Sequence, residues 1–177
     1  MPRHFTATAF IVDSQNRTLL LWHKRLGRWM PPGVHVEENE LPEETAKREC
    51  KEETGLDVEI FGAHDLHTHS TLSNIAIQQY SNRVPDLFIG NPSEGRMLKT
   101  PIAMLLEEIP AYPVRNEPAH QHMDFLFLAR PIAEGQTATL NYDEGYEMRW
   151  FTREEVKALD EATEIFANVK RYILSVL

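Results

Sequence analysis

Apolar and polar positions change period several times along this chain. Phe5 to Val12 and Thr18 to His23 are short apolar-rich runs separated by Asp13-Ser14-Gln15-Asn16, and they predict two β-strands joined by a turn. Trp29-Met30 leads into Pro31-Pro32-Gly33 and a short strand, Val34 to Val36. A helix is expected from near Pro42, whose missing N–H is harmless in a first turn, to Gly55, which ends it as a C′ glycine. Leu41 is a poor N-cap for it. Val58 to Gly62 reads as a strand, His120 to Ala129 as the best strand of the second half, and Met148 to Phe151 as a short one. Thr152 with Glu155 forms a capping-box pattern that opens a C-terminal helical region, with Ile165, Phe166, Val169 and Ile173 as its core-facing stripe. This is an α/β layout without repeats, low-complexity segments or a domain boundary.

The interval from Ser73 to Glu117 shows no clear period. Pro85, Pro92, Pro101, Pro110 and Pro113 punctuate it, together with Gly90 and Gly95. Long loops of this kind are more often binding elements than disordered linkers.

Length and composition narrow the class. A chain of 177 residues suits a single domain, 1–177, with a full-sized core. Its one cysteine excludes an internal disulfide and is consistent with a cytoplasmic location. The opening MPRHFTATAF has no long apolar run, so neither a signal peptide nor a transmembrane span is expected. No Lys/Arg-rich tract suggests a nucleic-acid groove, and the net charge of −9 disfavours an anionic partner unless cations mediate.

That charge is concentrated. Eight acidic residues lie between Pro31 and Leu56, in PPGVHVEENELPEETAKRECKEETGL. Glu49, Glu52 and Glu53 stand in i, i+3, i+4 relation, so on a helix they project from one surface, where like charges repel. A solvated face is one reading; a site for Mg²⁺, Mn²⁺ or Ca²⁺ is the other, because hard cations take carboxylate oxygens. The helical wheel favours the cation. With Ala46 at zero and about 100° per residue, Cys50 falls at roughly 40°, Glu53 at 340°, Glu49 at 300° and Glu52 at 240°. The glutamates border the apolar stripe instead of lying opposite it.

The same stretch resembles the signature of the Nudix hydrolases, G-x5-E-x7-R-E-U-x-E-E-x-G-U, with U a bulky apolar residue. Glu40, Arg48-Glu49, Glu52-Glu53 and Gly55-Leu56 fall on its fixed positions, over about an eighth of the chain. Two positions depart from it: Val34 stands where the opening glycine is expected, and Cys50 follows Arg-Glu. The resemblance implies a Nudix fold, an α/β/α sandwich around a mixed central β-sheet. It also implies that Glu49, Glu52 and Glu53 hold Mg²⁺ or Mn²⁺, joined by the backbone carbonyl of Val34. Valine is poor at φ > 0, so backbone freedom is expected to be lost there. Arg48 would orient the glutamates through charge-assisted hydrogen bonds, and Glu40, structural or weakly metal-linked, would tie the loop to the helix. Cys50 is expected in the core.

The implied chemistry is attack of a metal-activated water on a phosphorus of a nucleoside diphosphate linked to X, with Glu52 or Glu53 as base. The substrate would be a small molecule, a nucleoside triphosphate, ADP-ribose or a similar conjugate, and a homodimer would be usual for the family. A non-catalytic nucleotide-sensing module is the alternative. An isomerase of isoprenoid diphosphates is a third possibility, against which the core-facing register of Cys50 counts. Glu144, with Glu147 behind it, is a secondary candidate for the late-loop acid that relatives often recruit as a metal ligand or base; a solvated loop residue is the other reading. The segment RMLKTPIAMLLEEIP with HQHMDFLF resembles the region that contacts substrate in many relatives.

Other features invite chemistry more weakly. His120 and His122 share a strand face with Asp124, and His67 and His69 are a second pair. Zinc binding is the less expected role for these pairs, satisfied or surface imidazoles the more expected one. Trp22, Trp29, Phe88 and Tyr112 are expected to pack in the core before stacking on a base.

Overall fold

A computed structural model describes residues 1–62, 95, 98–133 and 135–177. Strands β1 (Arg3–Ile11), β4 (Gly33–His35), β5 (Val58–Phe61), β6 (Ala103–Ile109) and β7 (His120–Pro131) form one sheet. Its order is β4-β1-β7-β5, and β6 pairs with β7 as well. β1 and β7 run parallel from Arg3↔Gln121 to Ile11↔Ala129, while the other pairs are antiparallel, so the sheet is mixed. A second antiparallel sheet contains β2 (Thr18–His23), β3 (Arg28–Met30) and β8 (Gly145–Phe151), in the order β3-β2-β8.

Alternation along β1 assigns the two faces. Ala7, Ala9 and Ile11 are fully buried against Ala46 and Cys50 of helix α1 (Pro42–Thr54). Phe10 points the other way, into a cluster with Trp29, Leu126 and Phe151. That cluster is closed by Val156 of α2 (Arg153–Ala158) and by Val169 and Ile173 of α3 (Ala167–Val176). Helices therefore cover both faces, as expected of an α/β/α sandwich.

Local signals are satisfied where the sequence supplied them. The Asp13 carboxylate accepts the N–H groups of Gln15 and Arg17, and Asn16 turns the chain at φ 59°. Gly55 ends α1 at φ 70°, its N–H bonded to the Lys51 carbonyl. Leu41 makes no side-chain cap, and Glu44 supplies half of one by accepting the Leu41 N–H. Thr152 and Glu155 form the expected reciprocal box at α2.

The structure corrects several boundaries. β4 begins one residue earlier than expected, and β3 was not foreseen. β6 lies inside the interval that showed no period, because it is defined by pairing with β7 from Ala103↔Leu126 to Ile109↔His120. The C-terminal region is two helices, and Phe166 is not part of the buried stripe. It is the N-cap of α3, 38% exposed, with the Arg28 guanidinium over its ring. Trp29 is core, edge-on to Trp22 and Phe151, whereas Tyr112 is exposed. His67, His69, Phe88 and the positions from Ser73 to Pro92 lie outside the described residues.

Candidate active site

α1 presents its acidic residues along the margin of its buried face. Ala46 and Cys50 are fully buried; Glu49 and Glu53 are each 6% exposed, and the Glu52 side chain is 56% exposed. This is the order the wheel gave. Burial of two neighbouring carboxylates is costly unless they are paired, protonated or bound to a cation.

One cation is already present. Arg48 donates from Nε and Nη2 to the two oxygens of Glu40, at 2.8 and 2.9 Å, and from Nη1 to Glu49 and to Glu52. Glu40 also accepts the Thr45 hydroxyl at 2.7 Å, which ties the loop before α1 to the helix. The Arg48 hydrogen bonds hold the Glu40 carboxyl down to about 2. Arg48 thus fixes three glutamates and leaves Glu53 without a cationic partner among the described residues.

Glu53 accordingly has the strongest pull on a proton. Burial, then the charge of Glu49, push its carboxyl up to about 9, and the field of Glu144 adds to this. Burial also raises Glu49, opposed by Arg48. The pair shares a proton because two carboxylates in one dry site cannot both ionise cheaply.

The backbone brings Glu144 there. The Asn141 N–H donates to the Glu53 carbonyl at 2.9 Å and the Thr139 N–H to the Thr54 carbonyl at 2.8 Å. The Lys24 N–H donates to the Glu144 carbonyl at 3.0 Å, holding the loop against the end of β2. A residue ninety positions downstream of α1 is thereby held within electrostatic range of its buried pair.

Glycine matters at position 33 and not at 34. A Cβ on Gly33 would stand 2.6 Å from the Ala7 carbonyl oxygen and 2.8 Å from Thr8 Oγ1. The Gly33 N–H points to Glu53 Oε1 at 3.4 Å. Val34 pairs with Ala7 as ordinary extended strand, and the described non-glycine residues with positive φ are Asn16, Asn39 and Asn116. The expected loss of backbone freedom at Val34 therefore does not arise. Cys50 is in the core, where burial raises its thiol, so it is neither a nucleophile nor an acid facing a pocket.

The donor set suits a hard divalent ion: carboxylate oxygens from one helix, with Glu49 and Glu53 buried and Glu52 exposed, and the exposed Glu144 on a loop. His120 and His122 do share a face with Asp124, which accepts the hydroxyls of Thr6 and Thr8. They are joined by His4 and His35, which the sequence gave no reason to mark. The only signal was the parallel register that sets His4 opposite His122, and register is a tertiary property.

Comparison with known proteins agrees with this geometry. A family model described as the NUDIX domain matches residues 2–95, more than half of the chain. A crystal structure of a NUDIX-family hydrolase from Clostridium perfringens is 27% identical with a TM-score of 0.66, over 99% of this chain and 97% of that one. The E. coli dihydroneopterin triphosphate pyrophosphohydrolase (15% identity, TM-score 0.60, 99% and 97% covered) shares the fold. So does a MutT protein from Methanosarcina mazei Go1 (18%, 0.57, 98% and 91%). No curated protein matches. Among the described residues no helix is long and apolar enough to cross a membrane. With the signature residues gathered on α1 and the family model spanning β1 to β5, the chain belongs to the Nudix hydrolase family and is one of its pyrophosphohydrolases.

Proposed function

We propose that the whole 177-residue chain acts as one Mg²⁺-dependent Nudix unit, cleaving the pyrophosphate linkage of a nucleoside diphosphate joined to X. The observation that carries this reading is the buried Glu49–Glu53 pair, in which Glu53 has no cationic partner among the described residues and feels the charge of Glu144. Glu49, Glu52, Glu53, Glu144 and the Val34 carbonyl would hold the metal, Mg²⁺ or Mn²⁺. When bound, such an ion neutralises phosphate oxygens and lowers the pKa of its water. That also reconciles a chain of net charge −9 with an anionic substrate.

The protein's own groups divide the remaining work. Arg48 positions Glu49 and Glu52 through its Nη1 donors, and its fork to Glu40 anchors the loop. Of the two candidate bases, Glu53 is the buried one; burial and Glu49 favour its protonated form in the metal-free protein, so it can take a proton only once a bound cation has displaced the one it holds. Glu52, exposed and bonded to Arg48, is the weaker one. Among the relatives named above, one is a pyrophosphohydrolase of dihydroneopterin triphosphate and another a NUDIX-family hydrolase, which supports a small molecule carrying a pyrophosphate linkage as substrate.

A panel of nucleoside triphosphates, ADP-ribose and dinucleotides, assayed for phosphate and pyrophosphate release with and without Mg²⁺, tests the assignment. At least one substrate should turn over only with the metal, and Glu53→Gln should slow it by about 100-fold or more. Unimpaired turnover in Glu53→Gln would remove Glu53 from the site. Tight nucleotide binding with no hydrolysis anywhere in the panel would favour a nucleotide sensor.

A further inference from the structure

On the sheet face opposite α1, four histidines from three adjacent strands converge. His4 lies on β1, His35 on β4, and His120 and His122 on β7. His4 stands opposite His122 and His35 opposite Thr6, so alternation points all four rings to one side. One nitrogen from each lies within 4.8 Å of the other three.

We propose that His4, His35, His120 and His122 form a binding site for a divalent transition-metal ion, with zinc the best fit, distinct from the carboxylate site on α1. Imidazole nitrogens suit zinc and its neighbours, whereas Mg²⁺ and Ca²⁺ take oxygen.

The four rings are arranged as a flattened tetrahedron. Zinc–imidazole bonds of about 2.0–2.1 Å put ligand nitrogens about 3.4 Å apart and ring centres about 5.2 Å apart. Nε2 of His120 and Nε2 of His122 are 3.0 Å apart, and Nδ1 of His4 and Nε2 of His35 are 3.2 Å apart. The six distances between ring centroids run from 4.8 Å (His35–His122) to 6.4 Å (His35–His120). Four of them are 4.8–5.1 Å, and the two across the cluster, His4–His122 and His35–His120, are 6.3 and 6.4 Å, so the rings surround one centre as a flattened tetrahedron, where a chain or stack of imidazoles would give some much longer.

A supporting hydrogen bond sets the tautomer at the buried ligand. His120 is 2% exposed, and its Nδ1–H donates to the Pro118 carbonyl at 2.9 Å. Its Nε2 is left as a bare acceptor aimed at the other rings, the pattern of metal-ligating histidines. Two of the rings resist protonation: burial and the neighbouring imidazoles hold His122 down to about 4 and lower His35. Neutral donors leave the ion's charge uncompensated, and a carboxylate stands near. Glu117 Oε1 is 3.7 Å from His120 Nε2, while its other oxygen accepts from Arg25 at 3.2 Å. His4 and His35 are exposed and line an open groove with Val36, Glu37 and Glu40, which gives an ion access from solvent.

Cobalt distinguishes this site from the one on α1, because tetrahedral Co²⁺ absorbs visible light far more strongly than octahedral Co²⁺. Full-length protein freed of metal by chelation and titrated with Co²⁺ should develop the tetrahedral band at one equivalent. One equivalent of Zn²⁺ should abolish it, and excess Mg²⁺ should not. His4→Ala and His35→Ala, both at the exposed rim, should each weaken binding by more than about 10-fold. Glu53→Gln should keep the band, so failure here is separable from failure of the hydrolase assignment. Circular dichroism in metal-free buffer checks that each variant is folded. A wild-type protein that gives only the weak octahedral spectrum overturns the proposal. So does a band that survives unchanged in both histidine variants.

Discussion

At the scale of single residues, Arg48 is the hinge of the candidate site. Its side chain is 25% exposed, and its guanidinium meets Glu40 through two bonds while a third nitrogen serves Glu49 and Glu52. A planar fork is needed for that division of donors; a lysine ammonium is a single point charge. Arg48→Ala should therefore destabilise the protein by about 2–3 kcal/mol in chemical denaturation, since it strips charge-assisted bonds and leaves Glu49 buried beside Glu53. Arg48→Lys should recover less than half of that loss. The Glu40 carboxyl, held at about 2 by Arg48, should return toward the ordinary glutamate range in Arg48→Ala, which carboxyl NMR titration would read. A Lys variant as stable as wild type would mean that charge alone matters here.

At the scale of elements, the approach of β4 to β1 sets where the site's loop meets α1. Gly33→Ala would press a methyl against the Ala7 carbonyl, a backbone atom that cannot swing aside, so β4 must shift outward. Stability should fall by about 1–3 kcal/mol. Hydrolysis should fall further, up to about 100-fold, because the Gly33 N–H that points at Glu53 moves with the strand. Amide exchange checks the cause: protection should drop at Ala9 and Val36, whose N–H groups donate to Pro32 and Phe5 across this ladder. Val34→Gly, which restores the family residue, should cost about 0.5–1 kcal/mol instead of helping, since glycine is unfavourable in a strand. The helix was legible from sequence because its signals are local: Pro42 at its start, Gly55 at its end, and an apolar stripe bordered by Glu49 and Glu53. β6 was not legible, because A-M-L-L-E-E-I does not alternate in residue type although its burial does, and its strand character comes from β7. The four-histidine cluster was half legible for the same reason. His120 and His122 are two apart on one strand, but His4 and His35 reach them only through pairings set by the whole sheet.

At the scale of the whole molecule, groups with raised and with lowered pKa leave opposite marks on stability against pH. Glu53 has its folded pKa raised to about 9 from 4.5. The metal-free folded state therefore binds more protons than the unfolded one between those values, and its stability falls as pH rises through that window. Glu40, lowered to about 2, and His122, lowered to about 4, act the other way. Their contributions are present above the ordinary glutamate and histidine values and are lost as pH falls through the folded ones. Metal-free protein should then melt at a lower temperature near about pH 8.5 than near about pH 6, with a second decline on the acid side. A hard cation must displace the proton shared by Glu49 and Glu53, so Mg²⁺ should raise the melting temperature more at the alkaline pH than at the neutral one. Glu53→Gln removes the ionisation without changing the shape, and should flatten both the alkaline decline and the extra response to Mg²⁺. Thermal melts of wild type and Glu53→Gln at the two pH values, each with chelator and with Mg²⁺, give the comparison. If wild type loses nothing between the two pH values in chelator, the buried pair is not protonated in the folded protein, and the account of Glu53 as proton acceptor goes with it.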